Sequence, residues 1–236
     1  MTQLEAAREG QITAAMKTVA AEEHISEETV RERVAEGTVV IPANIGHRTL
    51  HPWGIGKGLR TKMNVNLGIS KDVCNYETEK AKAQLAADMK AEAIMDLSCY
   101  GTTAPFREWL IANSPAAIGT VPMYDAVGLL GKGLKDMTAD DLFSVVEKHA
   151  RDGVDFMTIH AGINQEVAGH VWKNHRLTNL VSRGGSILFA WMYMKGRENP
   201  FYEQYDRLLE ICRTYDVTLS LGDACRPGCL PERQLP

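Results

Sequence analysis

Beyond about residue 60 the chain repeats one pattern, an apolar run of strand length that ends in a residue fit for chemistry. Asn66 follows Met63-Asn64-Val65, Ser98 follows Ile94-Met95-Asp96-Leu97, and Tyr124 follows Val121-Pro122-Met123. His160 follows Phe156-Met157-Thr158-Ile159, Ser182-Arg183 follows Leu180-Val181, and Asp223 follows Leu219-Ser220-Leu221-Gly222. The runs predict strands near 61–67, 92–97, 117–122, 154–160, 178–182 and 216–222. Helical spacing fills the gaps at Tyr76–Met89, Pro105–Asn113, Ala139–Arg151, Ser186–Lys195 and Phe201–Thr214. Thr138, with Asp140 and Asp141 behind it, starts one helix, and Gly153 stops it.

Strands and helices alternating at this spacing predict an α/β fold with parallel strands. A (βα)8 TIM-type barrel gathers the carboxyl ends of its strands on one rim, so residues distant in sequence become neighbours. A doubly wound open sheet would write similar text but concentrates its ligand residues at one switch point. Here every strand ends in a candidate, which favours the barrel, with only its first six βα units legible. A small, mainly helical region precedes it. Leu4, Ala7, Ile12, Met16 and Val19 are spaced for a helix over Leu4 to Glu23, and Ser26 caps a second helix that runs to Val34 and closes at Gly37. Residues 39–62 turn to Gly, Pro and His, with a short strand at Thr38–Ile41. The expected division is residues 1–60 as this region and 61–236 as the incomplete barrel.

Composition narrows the function. The 236 residues are 44% apolar and 24% charged, as in a soluble globular chain long enough for one sizeable core. A net charge of −4 without a basic stripe argues against nucleic acid and for small-molecule partners. The chain has no long uncharged apolar run and no signal-peptide start, which argues against a membrane partner and for a cytoplasmic address. Five widely spread cysteines fit a reducing compartment.

Several strings, in order over nearly the whole chain, resemble the thiamin pyrimidine synthase family of unconventional radical S-adenosylmethionine enzymes. They are Ile41-Pro42-Ala43-Asn44-Ile45, Asn64-Val65-Asn66-Leu67-Gly68, Met95-Asp96-Leu97-Ser98, Ile118-Gly119-Thr120-Val121-Pro122-Met123-Tyr124, Thr158-Ile159-His160-Ala161-Gly162, Ser182-Arg183-Gly184-Gly185-Ser186 and Ser220-Leu221-Gly222-Asp223. The resemblance implies a (βα)8 barrel acting on 5-aminoimidazole ribotide. It also implies a homodimer, S-adenosylmethionine, a [4Fe-4S] cluster and a divalent metal, zinc or iron. Asn66, Met95, Tyr124, His160, Ser182, Arg183, Gly184, Asp223, Ala224, Cys225 and Arg226 match positions that contact the ribotide. Arg183 or Arg226 can hold a phosphate bidentately, the Gly184-Gly185 backbone can offer amides to an anion, and Asn66 can fix a ring nitrogen or hydroxyl. His160 and Asp223 are the candidate catalytic proton carriers. Each has a plainer reading: a strand-end His is commonly a structural hydrogen-bonder, Tyr124 can simply pack, Asp223 can cap a loop, and Met95 can face the core.

Other candidates weigh less. His47 and His51, with Asn44, are candidates for the active-site mouth, although His in a Gly/Pro loop is more commonly exposed. His170 and His175 read as surface residues on a helix, and Gly54-x-Gly56-x-Gly58 has the wrong spacing for a phosphate fingerprint. Cys225-x3-Cys229 is not followed by a third cysteine. The resemblance places the cluster and metal ligands beyond Pro236, so the expectation is a fragment inactive alone, or a barrel that a partner closes, since two open sheet edges are a liability. The strings Asn64-Val65-Asn66-Leu67-Gly68-Ile69-Ser70 and Ser98-Cys99-Tyr100-Gly101 depart from the thiamin enzyme. They tilt the expected product of the parent enzyme to 5-hydroxybenzimidazole, the lower ligand base of a cobamide. The phosphomethylpyrimidine of thiamin biosynthesis is the alternative, and a non-catalytic ribotide-binding remnant the reading from another class.

Overall fold

Three capped helices open the chain in the computed structural model, which describes residues 1–174 and 176–231. They are α1 (Gln3–Arg8), α2 (Ala14–Glu23) and α3 (Glu27–Ala35). The single helix expected over Leu4 to Glu23 is thus two, because Gly10 takes a left-handed φ of 79° and Thr13 caps α2 through the Met16 amide at 3.2 Å. Ser26 caps α3 as its position predicts, accepting from the Thr29 amide at 3.1 Å. A two-residue hairpin follows, β1 (Val39–Val40) antiparallel to β2 (Ile55–Gly56). A Cβ on Gly56 would lie 2.8 Å from the Val39 Cα, so this glycine serves close strand approach rather than a phosphate. Met16, Val19, Val30, Val34, Val39 and Ile41 bury one another in an apolar cluster within this region.

The rest alternates. In order come β3 (Asn64–Leu67), α4 (Tyr76–Asp88), β4 (Ala93–Asp96), α5 (Ala104–Asn113), β5 (Ala117–Thr120), α6 (Pro122–Leu130) and α7 (Ala139–Asp152). Then follow β6 (Phe156–Ile159), α8 (Gln165–Lys173), α9 (Arg183–Lys195), α10 (Pro200–Glu203), α11 (Tyr205–Tyr215) and β7 (Thr218–Leu221). Thr138 and Gly153 bound α7 as predicted, with a Thr138–Asp141 capping box and a left-handed Gly153.

Strands β3 to β7 form one parallel sheet whose spatial order is the sequence order. That order never reverses, as in a partial TIM-type fold and unlike a doubly wound sheet. Residues alternate between its faces. Leu67, Ile94, Ile118, Met157 and Ile159 are buried with helix residues such as Phe106, Leu110, Leu142 and Val146. Asn66, Met95, Gly119, Phe156 and Thr218 are register neighbours in one row on the opposite face.

The strand expected at 178–182 does not form. Strand β6 pairs directly with β7, so the described sheet has five strands where six were predicted. Asn179 has φ 55°, which breaks an extended run, and Leu177 and Val181 are exposed rather than packed in a sheet. The segment is instead the approach to α9.

At the amino ends of the strands, Asp155 clasps the irregular connection to the sheet. Its carboxylate accepts from the Asn44 amide at 2.9 Å, the Ile118 amide at 2.7 Å and His47 Nδ1 at 2.7 Å. His47 is therefore buried and lies at the end of the sheet opposite the strand tips, which corrects both the exposed and the active-site-mouth readings. His51 is partly exposed beside Glu22, at 3.1 Å. No described helix is long and apolar enough to cross a membrane.

Candidate functional site

His160 is the first residue past β6, and its backbone is fixed from a distance: Asn199 Nδ2 donates to the carbonyls of His160 at 2.9 Å and Ile163 at 2.8 Å. Its ring, only 3% exposed, meets Ser182, the N-cap of α9, with Nε2 3.0 Å from Ser182 Oγ. That hydroxyl also accepts from the Gly185 amide at 3.3 Å. Two glycines wall the imidazole. A Cβ on Gly184 would overlap the ring, and one on Gly222 would lie 2.7 Å from its Cδ2. Burial, and then the charge of Arg226, pulls the His160 pKa below the ordinary imidazole range against the opposing pull of Asp223.

The first turn of α6 delivers Tyr124 to the same place. The Arg183 guanidinium lies 5.3 Å from the centre of its ring, and burial raises the phenol pKa while Arg183, Arg226 and the Gly184 amide oppose the shift. Beyond β7, Ala224 packs into the core directly against Gly185. Asp223 and Arg226 are exposed, with Arg226 Nη1 donating to the Asp223 carbonyl at 3.3 Å, and the Cys225 carbonyl accepts from Arg176 at 2.6 Å. Two cationic side chains, a phenol and a neutral imidazole therefore border one end of the sheet. The Gly185 amide is engaged by the Ser182 hydroxyl.

The structure does not bring every predicted residue into this group. Asn66 is exposed and accepts from Asn64 Nδ2 at 2.9 Å, and Met95 is buried beside Gly119. Both share the face of Phe156 but lie level with it, four residues short of His160, or about 13 Å along the strand direction. No hydrogen bond, ion pair or ring contact among the described residues joins them to His160. Ser98 points to the helix side, where its Oγ accepts from the Ile69 amide at 3.2 Å. His170 is exposed on α8, and His175 lies outside the described residues.

Sequence reading missed the support beneath Tyr124. Asp125, the next residue, is buried with Arg107 at 3.2 Å and His149 at 3.1 Å, and His149 Nδ1 reaches Thr120 Oγ1 at 2.9 Å. This network fixes the start of α6 from behind. Its only signal in sequence is an acidic residue in a first helical turn, which ordinary dipole compensation explains equally well. Gly222, whose Cβ would meet the His160 ring, carries no signal in sequence beyond its glycine identity. Among the described residues no three His, Cys, Asp or Glu side chains could hold a metal ion, and Cys74, Cys99, Cys212, Cys225 and Cys229 are all free. The described residues therefore do not fit a cluster or a divalent metal.

A profile described as the radical SAM ThiC family matches residues 2–234. The phosphomethylpyrimidine synthase of Pelotomaculum thermopropionicum is 65% identical over 231 residues, covering 98% of this chain and 54% of that protein. Those of Clostridium tetani and Alkaliphilus metalliredigens are 59% and 61% identical over 97% of this chain, covering 50% and 52% of their own lengths. The chain thus spans about half the length of the curated relatives it matches. Their shared name overturns the cobamide product expected from the substituted strings. The structure shows why those strings mislead: Ile69 is buried, Ser98 binds its amide, and the Cys99 amide donates to its carbonyl at 3.0 Å, so they record packing between neighbouring strand ends. A match over nearly all of the sequence, on a sequentially ordered parallel sheet, leads to one conclusion: the chain belongs to the radical SAM ThiC family.

Proposed function

We propose that the protein is a phosphomethylpyrimidine synthase of thiamin biosynthesis acting on 5-aminoimidazole ribotide, and that this chain supplies the cup that holds the ribotide. The name comes from its relatives. The observation that carries the binding role is the convergence of His160, Ser182, Arg183 and Tyr124 from three separate elements. Arg226 and Arg183 offer the charge that a phosphate needs, and Tyr124 offers an aromatic edge for the imidazole. In this family S-adenosylmethionine and an iron–sulfur cluster supply the radical. Since the described residues do not fit the cluster or a metal, the chain's own part is to bind, orient and exclude water around the substrate.

Calorimetric titration of the chain with 5-aminoimidazole ribotide tests this. Saturable binding is expected, weakened about tenfold or more by Arg226→Ala, since a charge-assisted hydrogen bond contributes roughly 1.5–3 kcal/mol. Absence of binding would contradict the reading. For the full-length protein under anaerobic conditions, a phosphorylated pyrimidine is the expected product.

A further inference from the structure

Hydrogen-bond accounting at His160 assigns its protons. Ser182 Oγ already accepts from the Gly185 amide and sits 3.0 Å from His160 Nε2. His160 Nδ1 is buried and has no partner among the described residues. If Nε2 carried the proton and donated it to Ser182, the serine hydrogen would lack an acceptor and the Nδ1 lone pair would lack a donor. If Ser182 donates to Nε2, Nδ1–H is the one group left over. Each buried unmade bond carries a desolvation penalty, so the second arrangement is favoured. Rotating the ring would not exchange the roles of the two nitrogens freely, because Gly184 and Gly222 hold it between two backbone surfaces.

We infer that Ser182 is a positioning residue that locks His160 as the neutral Nδ1–H tautomer, so that His160 offers one fixed hydrogen-bond donor to an acceptor atom of the ligand once binding uncovers Nδ1 from the Gly184 backbone. His160 is then not a base in the resting site, since its one lone pair is occupied by Ser182. The naming of that ligand as the ribotide rests on the proposed function. The tautomer does not.

Two-bond 1H–15N correlation of the histidine side chains in the intact chain reads the tautomer directly. The expected result is a single Nδ1–H form for His160, and an Nε2–H form or an even mixture would overturn the inference. Ser182→Ala should release the preference toward Nε2–H and weaken ribotide binding about tenfold. Ser182→Thr, which keeps the hydroxyl, should restore both. A pure Nδ1–H form in a folded Ser182→Ala variant would remove Ser182 from the role. Should Ser182→Ala fail to fold, the wild-type spectrum and the threonine variant still decide. An Nδ1–H signal that stays in place when calorimetry shows the ribotide bound would overturn the donor role. An Nδ1–H tautomer in a chain that binds no ribotide would leave the assignment standing and sink the ribotide reading alone.

Discussion

Two buried histidines at opposite ends of the same sheet show how differently one side chain can be used. His47, at the amino ends of the strands, has an acceptor on each nitrogen: Asp155 Oδ2 at 2.7 Å from Nδ1 and the Ser114 carbonyl at 3.1 Å from Nε2. Nε2 also lies 3.1 Å from the Thr49 hydroxyl, so every polar atom of the ring has a partner within the protein. Burial alone would lower its pKa, but the hydrogen bond and charge of Asp155, with the Ser114 carbonyl, outweigh that and raise it. His160, at the carboxyl ends, has one partner and one orphaned nitrogen, and burial and Arg226 hold it neutral. The first site is complete without a ligand. The second leaves one buried nitrogen without a partner among the described residues, and that difference is what the proposed ligand role of the carboxyl end builds on.

The largest effect should come from breaking the clasp. Asp155→Ala strips three buried donors of their shared partner, so unfolding in urea should show a loss of about 3–5 kcal/mol. Ribotide affinity in the fraction still folded should hardly change. Gly222→Ala reverses the pattern. Its Cβ, 2.7 Å from the ring, must displace His160, costing about 1–3 kcal/mol of stability and at least tenfold in ribotide affinity by calorimetry.

The two histidines also give opposite pH dependence. The raised pKa of His47 means its contribution is fully present below the unfolded value of about 6.5 and is lost as pH rises through the folded value. His160 and the buried His149, both lowered chiefly by burial, contribute above about pH 6.5, and that contribution is lost as pH falls toward their folded values. Chemical denaturation across pH should therefore show both limbs, and His47→Gln should abolish the alkaline one while leaving the acid one. The smallest effect belongs to Arg183→Lys, which keeps the charge but loses the planar group over Tyr124. About 0.5–1 kcal/mol of ribotide affinity should go with it, a two- to fivefold weakening.

What could be read from sequence was whatever local chemistry decides. Ser26, Thr138 and Gly153 mark helix ends because a cap acts within one turn, and the β6 run of Phe156 to Ile159 declares itself by length and by the residue that follows. The run at 178–182 failed because Asn179 takes a left-handed conformation that an apolar pattern does not encode. The burial of His47 failed because its partner stands 108 residues away. At the site, His160 was legible as strand-end chemistry, whereas Ser182 and Arg183 open α9 after a predicted strand that does not form, Tyr124 stands in a helix and Asn66 stays outside the group. Gly222, Asn199 and the Arg107–Asp125–His149 network were not, since their roles are spatial and each residue alone looks ordinary.

Hydrogen exchange of the backbone amides, followed with and without saturating 5-aminoimidazole ribotide, puts the contrast between the two ends to the most direct test. Protection should rise over residues 182–185 and 222–226 and stay unchanged over 42–49 and 154–155. Unchanged exchange at the first pair of segments, or protection confined to the second, would contradict the assignment of the carboxyl-end cup as the ribotide site.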